Sequence, residues 1–334
     1  MSESAQIDLI KLNQTVKEHN EFVQQMMGEM GKVVVGQKEM VEGIVMGLLT
    51  GGHILLEGVP GLAKTLTIAT LAQTISLQFQ RIQFTPDLLP TDLIGTMIFN
   101  PKSGEFSVKK GPIFSNIVLA DEINRAPAKV QSALLEAMAE KQVTIGDHSY
   151  KLDYPFLVLA TQNPLEQEGT YSLPEAQLDR FMFKINVTYP TKSEELEIVT
   201  RMSHQNKPTL NSILSKEALI KTIAVVDQIY VDQKIKNYVV DLTMATREPK
   251  QYGLARFDKL ISVGGSPRAS LSLVRAAKAH AFLRSRGYVT VEDIKAVIYK
   301  VLRHRLILSY EAEAESINQD IIIKELLSAV EVSA

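Results

Sequence analysis

Residues 58–65 (GVPGLAKT) have the types and spacing of a loop that binds phosphate groups. The glycines at its first and fourth positions let backbone amides approach phosphate oxygens, and the N-terminus of a following helix adds its dipole. Lys64 would neutralise the β and γ phosphates of a nucleotide, and the Thr65 hydroxyl would hold Mg²⁺. Ala63 stands where the G-x-x-x-x-G-K-[ST] pattern has its second glycine. We expect Ala63 to adopt the backbone of a helix start and its methyl group to crowd the phosphate slightly. The alternative is a chance glycine-rich turn in front of a helix.

Two adjacent carboxylates follow the apolar run at residues 117–120. A buried strand would deliver Asp121 and Glu122 to the C-terminal edge of a parallel sheet, where ligands bind. Asp121 would belong to the Mg²⁺ shell, and Glu122 would orient and polarise an attacking water. An apolar strand followed by Asp-Glu also commonly starts a loop or caps a helix. The phosphate loop earlier in the chain favours the catalytic interpretation.

A third polar group, Asn163, follows the apolar run at residues 157–160. At the same sheet edge its amide can hydrogen-bond a γ-phosphate or the lytic water. The alternative is that Asn163-Pro164 begins a turn. Beside the other two motifs, we favour a sensing role for Asn163.

These groups need strands and helices to position them. A short apolar strand at 54–56 precedes the loop and a helical pattern follows from Lys64 to about Ser76, which is the order that a phosphate loop requires. The apolar runs at 117–120 and 156–160 predict buried parallel strands, and residues 129–141 predict a helix. This alternation predicts an α/β fold in which helices sandwich a parallel P-loop sheet.

Two segments interrupt the alternation and predict inserted hairpins. The first is Thr85–Gly111, with β-like stretches at Leu93–Phe99 and Glu105–Val108, and the second is Gln142–Leu152 around Gly146-Asp147. From Lys192 onward the pattern is mostly helical, most clearly at 225–246, 270–287 and 291–299. We therefore predict an N-terminal helical segment (1–32), an α/β nucleotide-binding domain (33–190) and a small all-helical lid domain (191–334).

Composition sets broad limits on function. A chain of 334 residues with 45% hydrophobic content can bury a large core. The net charge of -2 gives no global attraction to nucleic acid, and the lack of cysteine excludes disulfides and thiolate metal sites. No apolar segment is long enough to cross a bilayer, and the N-terminus does not have the pattern of a secretory signal. We expect a cytoplasmic protein in which His53 fills a packing or capping site and does not bind metal.

The order of these motifs resembles that of AAA+ ATPases and, more narrowly, of the MoxR family. The segments that carry the resemblance are 51–65 (GGHILLEGVPGLAKT), 121–126 (DEINRA), 172–181 (SLPEAQLDRF) and 265–268 (GSPR). The resemblance extends from about Val33 to the end, and the family tolerates alanine at the position of Ala63. It implies nucleotide contacts from Gly58, Val59, Pro60, Gly61, Leu62, Ala63, Lys64, Thr65 and Leu66.

The resemblance also implies roles that spacing alone does not assign. Arg180 matches an arginine finger that enters the neighbouring subunit's site; the alternative is a surface arginine paired with a nearby carboxylate. Arg125 is a second candidate for an interface role. Arg268 matches the sensor 2 position of the lid and would face the same ATP, although a carboxylate would serve equally as its partner. The segment with Val35 and Gly36 resembles one that packs beside adenine; core packing is the rival explanation.

The function that the resemblance implies is a Mg²⁺-dependent ATPase that acts as a homo-oligomeric ring, a hexamer. Its purpose would be chaperone-like remodelling or maturation of a client protein, such as cofactor or metal insertion, with a von Willebrand factor A-domain (VWA) partner. One alternative is a DNA-engaging AAA+ motor or restriction-type NTPase, which the near-neutral charge disfavours. Another is a nucleotide-gated scaffold with little turnover, which Lys64 and Glu122 argue against.

Overall fold

The computed structural model describes residues 3–102, 104–164, 170–203 and 208–332. Its helices are α1 Glu3–Met30, α2 Lys38–Thr50, α3 Lys64–Ile75, α4 Pro90–Ile94, α5 Ala128–Glu140, α6 Glu175–Leu178, α7 Lys192–Met202, α8 Lys216–Gln228, α9 Gln233–Ala245, α10 Pro267–Leu283, α11 Val291–Leu302, α12 Tyr310–Ala314 and α13 Gln319–Ala329. Its strands are β1 Ile54–Glu57, β2 Phe79–Gln83, β3 Gly95–Asn100, β4 Glu105–Lys110, β5 Ile117–Asp121, β6 Gln142–Ile145, β7 His148–Lys151, β8 Leu157–Gln162, β9 Phe183–Asn186, β10 Ile261–Val263 and β11 Ile307–Leu308. This order confirms the predicted α/β fold with a helical C-terminal region. That region is not all-helical as predicted, because the short strands β10 and β11 pair within it.

The central five-stranded sheet has the order β2-β5-β8-β1-β9. Its pairs β2/β5, β5/β8 and β8/β1 are parallel. The apolar residues of β5 and β8 are buried, as expected for central strands of a sheet covered on both faces. In the paired register Gln83 lies beside Asp121, and Ala120 beside Ala160. The parallel pairing therefore brings the polar residues that end these strands to one edge.

Two strands of this sheet, β2 and β9, were not predicted. Their sequences, FQRIQ and FKIN, mix polar and apolar residues and contain no apolar run. They occupy the two ends of the sheet, where a strand does not need apolar side chains on both faces. A short strand of this kind has little signal in sequence.

The two inserted hairpins are present, with one correction. β3 pairs antiparallel with β4, and β6 with β7 around Gly146, whose φ of 61° suits a tight turn. The first hairpin begins later than predicted, because Leu93 and Ile94 belong to helix α4. Pro90 starts this helix, and the Asp92 carboxylate accepts a hydrogen bond from the Leu89 amide at 2.8 Å.

The helix predicted over residues 225–246 is two helices, α8 and α9. The chain leaves helical geometry between them, where Tyr230 exchanges backbone hydrogen bonds with Gly287 (3.0 Å) and Val289 (2.9 Å). Asp232 then caps α9 by accepting from the Lys234 amide at 2.9 Å. Among the described residues, no helix is long and apolar enough to span a membrane.

By compactness the described chain divides into a sheet unit, residues 25–181 and 185–219, and a helical unit formed by the remainder of residues 3–332. Hydrogen bonds hold the segment after the sheet to the sheet unit: Arg201 donates to the Gly31 carbonyl at 2.9 Å, and the Asn211 amide donates to Glu29 at 2.8 Å. The division therefore does not coincide with the predicted boundary near residue 190. The three-domain partition stays a prediction.

Candidate functional site

In the loop between β1 and α3 both glycines suit their positions, but Ala63 has a backbone conformation other than the predicted one. Gly61 has φ 84°, and a Cβ there would meet open space. At Gly58 a Cβ would lie 2.7 Å from the Val187 carbonyl oxygen, so close packing requires this glycine. Ala63 was expected to start the helix, but its φ of 57° and ψ of 18° are left-handed. Left-handed backbone is the conformation that glycine adopts without strain, which explains the glycine in the general pattern.

Lys64 opens α3 with its side chain half-buried beside the loop. Its Nζ donates to the Gly58 carbonyl at 2.5 Å. Burial lowers the pKa of this ammonium group below its usual range, and the negative charges of Asp121 and Glu122 oppose that effect. Because burial removes water that would stabilise the ammonium charge, an anionic ligand beside Lys64 stabilises the charged form.

The two carboxylates at the end of β5 are tied to β8 by a residue that sequence reasoning missed. The buried Thr161 hydroxyl donates to Asp121 Oδ1 at 2.6 Å and accepts from the Glu122 amide at 2.8 Å. Glu122 itself has left-handed backbone (φ 57°), which turns the chain sharply after the strand. Thr161 thus fixes both the Asp121 carboxylate and the path of the chain that carries Glu122.

Strand β2 contributes two further side chains that sequence reasoning missed. Arg81 donates through Nε (2.9 Å) and Nη2 (2.7 Å) to Asp121 Oδ2, and Nη2 also lies 2.6 Å from Gln83 Oε1. These two polar residues flank Ile82, so they lie on one face of the strand. Such alternation is a weak signal, and only the pairing of β2 with β5 connects it to Asp121.

The Glu122 carboxylate is also engaged. Its Oε2 accepts from Gln83 Nε2 at 2.9 Å and pairs with Arg125 Nε at 3.1 Å. Arg125 was predicted as a candidate for an interface role, and here it contacts the carboxylate that was assigned to the attacking water.

Lys64, Arg81, Asp121, Glu122 and Thr161 meet around one cavity of about 420 Å³. Its lining consists of Pro60, Gly61, Leu62, Ala63, Lys64, Thr65, Leu66, Arg81, Asp121, Glu122, Thr161 and Asn163. Asn163 is largely buried, at the edge where β8 ends. The structure therefore brings together the residues predicted from three separate motifs.

Four predicted nucleotide contacts, all described by the structure, lie outside this lining. Gly58 and Val59 precede the part of the loop that faces the cavity. Val35 is buried, and a Cβ on Gly36 would lie 2.6 Å from the Glu194 carboxylate. Their predicted contact with a base stays a prediction.

The two remaining predicted arginines lie in different units. Arg180 is exposed in the sheet unit, after α6, where its Nη1 donates to the Leu135 carbonyl at 2.7 Å. Arg268 is in the first turn of α10 in the helical unit, where its amide donates to the Ser266 hydroxyl at 3.2 Å. Neither predicted role is tested by these contacts.

The cavity has the chemistry of a site for a nucleoside triphosphate and Mg²⁺. Its volume lies within the range of small-molecule sites, and it presents the N-terminus of α3 together with a half-buried cation. Thr65 and Asp121 offer two oxygen ligands. Mg²⁺ at phosphates is commonly bound by one or two protein groups plus water and phosphate oxygens, so this donor set fits.

Comparison with known proteins extends these observations. Residues 53–183 match the model of the ATPase family associated with various cellular activities (AAA), and residues 254–326 match the AAA lid domain. Chaperone MoxR1 of Mycobacterium tuberculosis is 49% identical over 302 residues, which are 90% of this chain and 80% of that protein. Protein MoxR of Methylorubrum extorquens is 33% identical over 88% of this chain and 90% of its own. The crystal structure of a Cytophaga hutchinsonii protein has a TM-score of 0.92 at 53% identity, covering 98% of this chain and all of that one.

Proposed function

Because the chain belongs to the MoxR family of AAA+ ATPases, we propose that it binds ATP with Mg²⁺ in the cavity beside the phosphate loop and hydrolyses it there. The observation that carries the proposal is the convergence on one cavity of the loop, the half-buried Lys64 and the two carboxylates. Membership of an ATPase family supports hydrolysis in general terms. The assignment of steps to residues is our inference from their positions.

Each residue has a role that its position supports. Lys64 and the loop amides bind the phosphates, and Thr65 with Asp121 provides the oxygen ligands for Mg²⁺, which supplies charge neutralisation to the phosphates. Glu122 accepts a hydrogen bond from the attacking water and polarises it, and Asn163 orients that water or the γ-phosphate. In the structure Glu122 is paired with other side chains, so this role requires its carboxylate to exchange partners.

We propose further that the active assembly is a ring, a hexamer, in which Arg180 completes a neighbour's site. The exposure of Arg180 in the sheet unit supports this idea, because a guanidinium fork that reaches another subunit must first be accessible. Arg268 would contact the same nucleotide from the lid. Arg125, which pairs with Glu122, would act within its own subunit.

By analogy with the relative named a chaperone, the hydrolysis cycle would drive remodelling or maturation of a client protein in the cytoplasm, with a VWA-domain partner. Insertion of a metal or cofactor into the client is one form of such maturation. A tagged Glu122→Gln variant loaded with ATP would retain clients and partners for identification.

The test of the ATPase proposal compares Glu122→Gln with the wild-type protein. Because general-base catalysis contributes about 10²–10⁴-fold, we expect phosphate release to fall at least 100-fold while binding of a fluorescent ATP analogue persists. Glu140→Gln, which changes an exposed carboxylate at the end of α5, is the matched control and should retain turnover. Unchanged phosphate release in Glu122→Gln would reject the assignment of Glu122. Negligible phosphate release by the wild-type protein would favour a scaffold with little turnover.

A further inference from the structure

The Asp121 carboxylate already has a cationic partner in this structure. Arg81 places two nitrogens on one of its oxygens, Oδ2, at 2.9 and 2.7 Å, and the Thr161 hydroxyl occupies the other oxygen, Oδ1, at 2.6 Å. Both oxygens of the carboxylate assigned to Mg²⁺ are therefore engaged. Arg81 also lines the cavity in which the metal would lie.

The two partners of this ion pair differ in exposure and in how they are held. The Arg81 side chain is 49% exposed, whereas that of Asp121 is 13% exposed. Asp121 is anchored by the hydroxyl of Thr161, which is itself buried. When a competing cation arrives, the guanidinium can move into solvent, while the carboxylate stays in place.

The other charged side chains around the cavity have partners other than Asp121. Glu122 has its own partners, Arg125 and Gln83. Lys64 donates to the Gly58 carbonyl of the phosphate loop. Arg81 is thus the lining cation that the described contacts place directly on Asp121, where it neutralises the carboxylate as a metal ion would.

We propose that Arg81 is a stand-in cation for Asp121 in the nucleotide-free protein and that Mg²⁺ must displace its guanidinium to reach this carboxylate. Arg81 is then a positioning residue that sets the magnesium concentration at which the site loads. The inference rests on the proposed Mg²⁺-ATP site. It predicts that Arg81 weakens the coupling between Mg²⁺ and nucleotide, because the metal must break the existing pair before it binds.

The coupling is measured with a fluorescent ATP analogue. It is the dissociation constant in EDTA divided by the dissociation constant in saturating Mg²⁺. In Arg81→Met the ratio should rise by about fivefold, the upper end for an ion pair with one exposed partner. Without Mg²⁺ the unpaired carboxylate repels the phosphates and weakens binding. With Mg²⁺ the metal no longer competes with a guanidinium.

Gln80→Leu is the matched control, because it changes an exposed side chain of the same strand, next to Arg81, and keeps the pair between Arg81 and Asp121. Its ratio should stay within about twofold of wild type, as expected for a surface substitution. Arg81→Lys keeps the charge without the fork and should give an intermediate ratio, which also carries the test should Arg81→Met not fold. An unchanged or smaller ratio in both Arg81 variants would overturn the inference. A wild-type protein that does not bind the analogue at all would instead reject the proposed function.

Discussion

His53, immediately before β1, is a buried histidine whose two ring nitrogens are both used. Nδ1 accepts a hydrogen bond from the Val158 amide at 3.0 Å, and Nε2 lies 3.2 Å from the Met138 carbonyl. This pairing requires a neutral ring with its proton on Nε2. The packing role expected from sequence is therefore consistent with the contacts, and it has a consequence for stability at low pH.

Burial lowers the pKa of His53 from 6.5 to about 4; the positive charge of Lys141 adds to this effect, and the Met138 carbonyl opposes it. Between these two values the unfolded chain binds a proton that the folded chain does not. The free energy of unfolding therefore falls as the pH drops below 6.5, until it levels near pH 4. From His53 alone the loss is about 2 kcal/mol at pH 5.

The perturbation is His53→Gln, which removes the titrating group and keeps polar atoms in the site. The free energy of unfolding is measured by denaturant titration at pH 7 and pH 5 for both proteins, so that other titrating groups cancel. We expect the advantage of wild type over the variant to shrink by about 2 kcal/mol between the two pH values. An advantage that is equal at both would refute a buried, neutral His53.

Three further predictions concern other buried or shared groups. Thr161→Val keeps the shape but removes the hydroxyl bonded to Asp121, so we expect about 2 kcal/mol lower stability in denaturant titration and at least tenfold slower phosphate release; wild-type values for both would rule out its positioning role. Arg180→Ala and Glu122→Gln should each abolish turnover alone, and mixing them should restore part of it, because some sites then combine an intact Glu122 with a neighbour's Arg180; a mixture as inactive as its components would count against action in trans. The Asp293 carboxylate is fully buried and accepts a hydrogen bond from Arg286 at 2.6 Å. Asp293→Asn should therefore lower the free energy of unfolding by about 3 kcal/mol in thermal or denaturant unfolding. A loss below about 1 kcal/mol would contradict the importance of this ion pair.

The local chemistry of the site could be predicted because it is encoded in contiguous residues. A glycine-rich loop between an apolar strand and a helix, and an apolar strand ending in Asp121-Glu122, each specify their own geometry through short-range sterics and burial. The same reasoning located the hairpin around Gly146. It predicted the wrong backbone conformation for Ala63, because nothing in an alanine indicates a left-handed residue in front of a helix.

The sequence by itself determined the fold class and the residues of the phosphate loop, because strand periodicity and turn chemistry are local properties. Only the tertiary structure decided what surrounds them. Arg81, Gln83 and Thr161 are ordinary polar residues in their own segments. They reach Asp121 and Glu122 because parallel pairing sets β2 and β8 on either side of β5. Contacts between residues about 40 positions apart depend on strand order and register, and strand order is fixed by packing of the whole sheet.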